Sequence, residues 1–341
     1  MAEKLTIRVI GVGGGGNNAL NRIAKLGLSG VQLVGINTDE IALSGCIADE
    51  KLVIGKNLTK GHGAGSDVEL GRSAALASEV EIRKLLEGSD LVFVTAGQGG
   101  GTGTGAAPVI AKIARDEGAM IIGVVTTPFS FEGRKRSERA HHGLRILLEV
   151  LDLLVVIPND SLLSTEMDFP LVQAFKLSDD IIAECIRSIS DLLLQKGLLN
   201  LEFGKIRRIL KGAGIAYVGI GGAEGNNRAQ IAARLSLSSP LLRAPLDRAT
   251  KVLINVSGGY DLTLFEVNEV AETVAASVDP TAQIIFGGIP GTCREGELKV
   301  TVFASGFRGD EIEAKADDEN GAMIKEENAG RDIDIASYIK K

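Results

Sequence analysis

Short runs of apolar, β-branched residues alternate with stretches of helical periodicity along the first half of the chain. Five of these runs predict buried strands: Leu5 to Val12, Val31 to Ile36, Leu91 to Thr95, Met120 to Val125 and Leu154 to Ile157. Helices are predicted between them at Asn18 to Leu26, Asp67 to Leu86 and Ala106 to Glu117. Buried strands that alternate with helices form parallel sheets covered on both faces, so the pattern predicts an α/β fold.

A long amphipathic stretch follows from Leu171 to Lys196, and Gly197 is placed to end it. Beyond Gly212 the alternation resumes. Strands are predicted at Ala216 to Ile220, Val252 to Val256, Gln283 to Gly287 and Leu298 to Ala304, with helices at Asn226 to Leu237 and Leu264 to Val278. We expect a second, smaller α/β domain that the long helix joins to the first.

The last part of the chain has a different composition. From about residue 309 the hydrophobic content collapses, which predicts a disordered linker over 309–331. Residues 332–341 regain Ile335, Tyr338 and Ile339 at the spacing of one helix face. These residues are consistent either with a docking peptide or with a frayed terminus.

Composition and charge exclude several classes of protein. The 341 residues carry a net charge of −7 without a basic stripe interleaved with aromatics, which argues against a nucleic-acid-binding surface. The longest apolar stretch, Leu147 to Ile157, contains two acids and is shorter than the roughly 20 residues that span a bilayer. The chain opens without an export signal, so we expect a cytoplasmic protein without direct membrane insertion. Its three scattered cysteines indicate buried thiols.

Two glycine clusters suggest a bound ligand. The first strand leads into residues 11–18, Gly-Val-Gly-Gly-Gly-Gly-Asn-Asn, directly before a helix. A strand, a glycine loop and a helix N-terminus bring backbone N–H groups to one point, which suits phosphate. The spacing of Gly11, Gly13 and Gly16, with Asp39 after the second strand, also fits a dinucleotide-binding site.

The second cluster favours a nucleoside triphosphate over a dinucleotide. It contains six glycines among the nine residues from Gly97 to Gly105, again between a strand and a helix. Two such loops from adjacent strands can enclose a triphosphate, whereas a pyrophosphate needs one. No lysine follows in P-loop spacing, so backbone N–H groups, the hydroxyls of Thr102 and Thr104, and Mg²⁺ held through phosphates and water are expected to balance the charge.

At this point the motifs carry a family resemblance. Gly-Gly-Gly-Thr-Gly-Thr-Gly at 99–105 resembles the signature of the tubulin/FtsZ superfamily, and Thr-Pro-Phe-Ser-Phe-Glu-Gly-Arg-Lys-Arg at 127–136 with Ile-Pro-Asn-Asp at 157–160 resembles FtsZ in particular. Similar agreement over 37–39, 61–65, 239–242 and 265–268 extends the match to about residues 5–307.

The resemblance implies a GTPase with a Rossmann-like parallel-sheet domain over 1–170, a central helix over 171–198, a catalytic-loop segment over 199–212 and a smaller α/β domain over 213–308. It also implies head-to-tail polymerisation into protofilaments at the site of cell division. Residues 332–341 are similar to the C-terminal peptide through which FtsZ binds membrane-tethering adaptors, although the usual proline is missing.

The resemblance assigns site residues one by one. It places phosphate contacts at Gly14, Gly15, Gly16, Asn18, Gly101, Thr102, Gly103 and Thr104, ribose- and phosphate-side contacts at Glu132 and Arg136, and base and sugar contacts at Asn159, Phe175 and Asp180. A carboxylate can accept hydrogen bonds from both N1–H and the exocyclic amine of guanine. Asp180 is therefore the expected specificity residue. No protein side chain is expected to ligate a metal directly.

The catalytic segment departs from the family. The usual Asn-x-Asp-Phe-x-Asp reads here as Asn200, Leu, Glu202, Phe, Gly, Lys205. In the family this segment enters the next subunit's site, where its acids polarise the attacking water. A misplacement of about 1 Å can cost on the order of 100-fold in rate, and an ammonium cannot take a proton from water. We therefore expect hydrolysis to be slow or lost, unless Glu202 suffices and Lys205 points to solvent.

Two other functions compete with the leading interpretation. The first is a GTP-bound structural or regulatory filament protein with negligible catalysis. The second is a dinucleotide-dependent oxidoreductase, which is disfavoured because no catalytic His, Tyr or Lys constellation accompanies the fold. The only histidines are His62, His141 and His142, and all three are predicted in loops or on the surface.

Overall fold

The computed structural model describes residues 5–163, 170–195 and 202–307. The predicted helix stop at Gly197, Asn200 of the catalytic segment, the linker 309–331 and the peptide 332–341 lie outside these residues.

The first half of the chain forms six strands, and every strand predicted there is present. Their bounds are β1 Ile7–Val12, β2 Val31–Asn37, β3 Glu50–Val53, β4 Leu91–Gly97, β5 Met120–Thr127 and β6 Leu153–Pro158. The helices between them are α1 Gly13–Leu26, α2 Glu40–Ser44, α3 Lys56–Thr59, α4 Val68–Ala77, α5 Glu79–Leu86, α6 Gly101–Asp116 and α7 Arg134–Val150. Two 3-10 turns, Ser130–Glu132 and Asn159–Leu162, follow β5 and β6.

The second half begins with the long helix that the sequence predicts. This helix is α8 Leu171–Leu194, and it is followed by α9 Phe203–Leu210, α10 Arg228–Leu237 and α11 Leu264–Ala275. The strands are β7 Gly214–Glu224, β8 Lys251–Gly258, β9 Gln283–Ile289 and β10 Glu297–Ser305. A short 3-10 turn, Leu246–Arg248, precedes β8.

All ten strands belong to one sheet in the order β3-β2-β1-β4-β5-β6-β7-β10-β8-β9. The strands from β3 to β7 pair in parallel, and β10 runs antiparallel to both of its neighbours. The parallel pairing of β6 with β7, from Leu153 opposite Gly214, joins the two halves. The mostly parallel sheet with a long central helix and a smaller second part confirms the predicted fold class.

Helix α8 packs on one face of the sheet and contributes to the largest core. Ile182, Ile186 and Ile189 of α8 join Leu20 and Ile23 of α1 and inward-facing strand residues there. A second core lies under α4 to α7 on the other face, and a third lies under α10 and α11. The long helix is therefore fixed against both halves of the sheet.

The structure differs from the predicted elements at the glycine loops. Helix α1 begins at Gly13 and α6 at Gly101, although helical periodicity begins only at Asn18 and Ala106. Glycine has low helix propensity, so the pattern places these residues in loops. Ser78 divides the predicted helix 67–86 into α4 and α5. The glycines therefore form the first helical turns themselves.

Glycines also allow α4 and α6 to approach closely. A Cβ on Gly105 would lie 2.1 Å from the Val68 carbonyl oxygen and 2.7 Å from the Arg72 backbone nitrogen. A Cβ on Gly71 would lie 2.3 Å from the Gly101 carbonyl oxygen. The neighbours are backbone atoms that cannot move aside singly, so α6 is held in place by this contact.

We expect Gly105→Ala to destabilise the fold by about 1–3 kcal/mol, because the added methyl group overlaps backbone atoms of α4. Gly204→Ala is the matched control, since Gly204 lies in α9 and a Cβ there would meet no atom within 4 Å. Alanine there favours the helix by about 0.5–1 kcal/mol. Urea unfolding measures both; equal stability of the two variants would contradict the packing argument.

Candidate functional site

A cleft of about 290 Å³ lies at the carboxyl ends of the parallel strands, between α1, α6 and the first turns of α8. Ligands of open α/β sheets bind at this edge because the loops that follow the strands meet there. The cleft has a glycine-lined end and an end lined by larger side chains. The two ends are built from different elements.

The glycine-lined end is made by two helix N-termini. Gly14, Gly15 and Asn18 of α1 and Gly101, Thr102 and Gly103 of α6 line it. Backbone N–H groups of a first turn have no partner within their helix, and the helix dipole is positive there. Two N-termini directed at one cleft form a strong site for a chain of phosphates.

Two of the lining glycines are not required by the protein itself. A Cβ on Gly14 or Gly100 would meet no atom within 4 Å, and neither residue has a positive φ. Other side chains would therefore fit the fold at these positions, but they would occupy the cleft. The open space above Gly14 and Gly100 fits a ligand that approaches the backbone closely.

Buried polar contacts hold the two loops in place. Asn17 donates from Nδ2 to the Gly11 carbonyl at 2.9 Å and accepts at Oδ1 from Asn37 Nδ2 at 2.8 Å. The hydroxyls of Thr38 and Thr102 share a hydrogen bond of 2.7 Å. These contacts link the end of β2 and the residue after it to both glycine loops and hold the loops in position.

The other end of the cleft brings together side chains from distant parts of the chain. Glu132 and Arg136 form an ion pair of 3.0 Å on one side. Opposite them, Ser178 of α8 donates to Asn159 Oδ1 at 2.9 Å, and Asn159 is buried. Phe175 packs edge-on against Phe129 with ring centroids 5.1 Å apart. This end offers the apolar surface and polar groups that a base and a sugar need.

Most residues that the resemblance assigns are brought together in this cleft. Those that line it are Gly14, Gly15, Asn18, Gly101, Thr102, Gly103, Glu132, Arg136, Asn159 and Phe175. Gly16 does not: a Cβ there would lie 2.4 Å from the Thr95 carbonyl oxygen, so it allows α1 to approach β4. Thr104 is fully buried and accepts a hydrogen bond from the Gly99 N–H at 2.8 Å. Gly16 and Thr104 therefore support the glycine loops from outside the cleft lining.

Asp180, the expected specificity residue, also lies outside the cleft lining. Its carboxylate pairs with Arg22 of α1. The preceding residue, Asp179, lines the cleft instead. Helical periodicity could have identified it, because Asp179 and Ile182 follow Phe175 by four and seven residues and so share its face. Asp180 is turned by about 100° from that face.

Asp179 has an unusual charge balance. Burial, reinforced by the adjacent negative charge of Asp180 and opposed by Arg22, raises the pKa of Asp179 to about 7. A carboxyl group that titrates near neutral pH in a cleft is typical of a binding or active site.

Glu202 and Lys205 lie at the opposite edge of the sheet. Their charged atoms are 4.0 Å apart, and the side chains are 79% and 56% exposed. Arg207 of the same helix donates to the Gly118 carbonyl at 3.3 Å, two residues before β5 begins. From Ile182, the last α8 residue that lines the cleft, to Leu194 at its end, α8 rises by about 18 Å toward this edge. The two residues therefore cannot reach the cleft of their own chain.

Within the described part of the chain, no three His, Cys, Asp or Glu side chains are grouped as metal ligands. Cys46 and Cys185 are buried as predicted, whereas Cys293 is only partly buried. Among the same described residues, none of the helices is both long enough and apolar enough to cross a bilayer.

Two family models match the chain. Residues 6–166 match the Tubulin/FtsZ family, GTPase domain, and residues 214–308 match the FtsZ family, C-terminal domain. Together the matched segments leave out α8 and α9, which the structure places between them.

Solved structures of FtsZ and CetZ proteins are also similar to this chain. An FtsZ dimer from M. jannaschii is 41% identical, with a TM-score of 0.86 and coverage of 89% of each chain. A protofilament of CetZ2 from Haloferax volcanii with bound GTPγS is 23% identical, with a TM-score of 0.76 over 90% of this chain and 95% of the other. CetZ1 from the same organism, solved as a GDP-bound monomer, is 21% identical, with a TM-score of 0.78 over 89% and 95%. The CetZ likenesses show the fold alone.

We expect Gly14→Ala to weaken nucleotide binding at least tenfold, because its methyl group would project only into the cleft. Stability against urea is expected to stay unchanged or to rise slightly, because alanine favours a helix over glycine. Calorimetric titration with GDP measures the affinity. Gly105→Ala gives the opposite pattern, with reduced stability as its primary effect. Unchanged GDP affinity in Gly14→Ala would show that the ligand does not approach this helix turn.

Proposed function

The chain belongs to the tubulin/FtsZ family, and on that premise we propose that it is a GTP-binding protein that assembles head to tail into protofilaments for cell division. One observation carries the proposal. Two helix N-termini and the side of the cleft that carries Phe175 and Asp179 converge on one cleft, whereas the segment that carries Glu202 lies at the far edge of the sheet.

Asp179, in place of Asp180, is proposed to read the base. It shares a helix face with Phe175, which offers an aromatic surface at the same end of the cleft. An ionised carboxylate accepts from guanine N1–H and from the exocyclic amine, and adenine presents no such pair of donors. Recognition through a charged hydrogen-bonded pair discriminates strongly, because the wrong base leaves a half-buried carboxylate without partners.

The phosphates are proposed to lie on the N-termini of α1 and α6, with Arg136 at the rim. When Mg²⁺ is bound, it supplies charge neutralisation to the phosphates and is held mainly by phosphate oxygens and water. The glycine loops suit this arrangement because their N–H groups point into the cleft without side chains between them. The dinucleotide interpretation of the first loop is abandoned for the same reason, since the second loop completes a triphosphate site.

Completion of the site by a second copy follows from the positions of Glu202 and Lys205. Neither side chain can reach the cleft of its own chain, and a head-to-tail neighbour would bring them to it. An exposed apolar patch, Tyr260, Leu264 and Phe265, offers a protein interface for assembly. Next to these residues in the sequence, Asp261 and Glu266 each bind the buried Arg228 at 2.6 Å.

Hydrolysis is proposed to be slow. Glu202 keeps an acid at the first position of the catalytic segment, but Lys205 places a cation at the second. A cation beside a neighbour's γ-phosphate stabilises the bound state without turnover. The alternative is a GTP-bound structural or regulatory filament protein with negligible catalysis. It corresponds to a complete loss of hydrolysis from the same cause.

The C-terminal residues bear on where in the cell the protein acts. We propose that 332–341 binds a membrane-tethering adaptor and that the protein acts in the cytoplasm at the division site. A disordered linker, which the sequence predicts over 309–331, would span on the order of 25 Å and keep filaments close to an adaptor-coated membrane.

Asp179→Asn is expected to weaken GTP binding roughly 10- to 150-fold, the range of a lost charge-assisted hydrogen-bonding partner, and to favour XTP. The carboxamide donates to the 2-oxo group of xanthine and no longer accepts from the amine of guanine. Calorimetry with GTP, XTP and ATP measures the change.

Asp180→Asn distinguishes the two adjacent acids. If Asp180→Asn, and not Asp179→Asn, switched preference from GTP to XTP, the assignment of the base-reading carboxylate to Asp179 would be wrong.

Lys205→Asp is expected to raise GTP turnover on the order of 100-fold above the assembly threshold, because it restores an acid that can orient or deprotonate water. Light scattering with GTP, GDP and a non-hydrolysable analogue follows assembly, and phosphate release follows turnover. Lys205→Ala separates loss of the cation from gain of the acid. Assembly without nucleotide would refute the proposed function, and rapid turnover that Lys205→Asp does not change would refute slow hydrolysis alone.

A further inference from the structure

An ion pair outside the cleft connects the two helices that form its ends. Arg22 lies in the third turn of α1, whose first turn lines the glycine end, and Asp180 lies in α8, whose first turns line the base end. The side chains of this pair are 31% and 32% exposed, so both are largely shielded from water. The helices also share the main core through Leu20, Ile23 and Ile182.

The Arg22–Asp180 ion pair is adjacent to Asp179 and lies outside the cleft lining. Consecutive residues of a helix point about 100° apart, so Asp179 faces the cleft while Asp180 faces α1. Two carboxylates at adjacent positions repel each other, and a guanidinium bound to one of them reduces that repulsion. Arg22 therefore influences the charge of Asp179 from outside the cleft lining.

Among the described residues, the other charged groups that line the cleft are already paired. Glu132 and Arg136, across the cleft, bind each other. On the adjoining turn, Asp160 accepts hydrogen bonds from the backbone N–H and hydroxyl of Ser130. Burial and Asp180 raise the pKa of Asp179, and Arg22 lowers it. Asp180 and Arg22 are therefore the charges that act on this carboxyl group most directly.

We propose that Arg22 and Asp180 are positioning residues that bias the ionisation of the base-reading carboxylate from outside the cleft lining, so that guanine-nucleotide binding by this chain depends on pH. The inference rests on the proposed function. Only the ionised carboxylate accepts from both donors of guanine, so binding releases a proton wherever Asp179 is protonated in the free protein. Affinity is full above the pKa and falls about tenfold per pH unit below it.

The two partners have opposite effects. Arg22→Gln removes the cation and leaves Asp180 uncompensated, which makes Asp179 harder to ionise and moves the midpoint of the affinity profile upward by about one pH unit. Asp180→Asn removes the like charge and frees Arg22, which moves the midpoint downward. A purely structural pair would lower affinity by the same factor at every pH.

Calorimetric titration of the full chain with GDP between pH 5.5 and 8.5 tests the proposal, because GDP reports binding without turnover. Two buffers with different ionisation enthalpies measure proton release. We expect a midpoint near neutral pH in the unmodified protein, opposite displacements in Arg22→Gln and Asp180→Asn, and a flat profile in Asp179→Asn. Arg22→Lys keeps the cation and is expected to keep the midpoint close to its original position.

Displacement of both midpoints in the same direction, or pH-independent losses of affinity, would overturn the inference. A flat profile in the unmodified protein with tight GDP binding would also overturn it while leaving the proposed function intact. Absence of GDP binding at every pH would refute the proposed function and the inference with it.

Discussion

The close approach of two backbone turns at the carboxyl edge of β1 and β4 is the constraint on which the site depends. A Cβ on Gly13 would lie 3.0 Å from the Gly103 backbone nitrogen, and one on Gly15 would lie 3.0 Å from the Gly97 nitrogen. Only glycine lets the N-termini of α1 and α6 share one cleft at this distance. First-turn N–H groups have no partner within their helix and need water or an anion to satisfy them, so this edge suits an anionic ligand.

Helix α8 extends this local constraint to the whole molecule. Its first turns contribute Phe175 and Asp179 to the cleft, and its other end leads to α9 at the opposite edge of the sheet. One helix therefore runs from the cleft toward the segment that is proposed to serve the next subunit. It packs against both halves of the continuous sheet.

Charged side chains near the two ends of α8 modify sites that this chain shares with its family. At one end, Arg22 and Asp180 bias the carboxylate that is proposed to recognise guanine. At the other end, Lys205 is proposed to bring a cation to a site where family members supply an acid. Both features involve side chains just outside direct contact with a nucleotide in their own chain. Differences within the family can therefore arise without any change in the glycine turns that are proposed to hold the phosphates.

The sequence by itself determined most of the strands, the long helix and the glycine-lined end of the cleft, because buried apolar runs and clustered glycines are local signals, while the family resemblance supplied the larger side chains of the lining. It did not predict β3 or the helices α2, α3, α7 and α9. The short β3 lies at the sheet edge, and α7 is polar except for the face that carries Ile146, Leu147 and Val150. Helical spacing was sufficient to place Asp179 on the face of Phe175, but only the tertiary structure decided that Asp180 pairs with Arg22 of α1 and that β6 pairs with β7 in one sheet. These contacts join residues that are far apart in the sequence, so the residue types and spacing within one segment do not predict them.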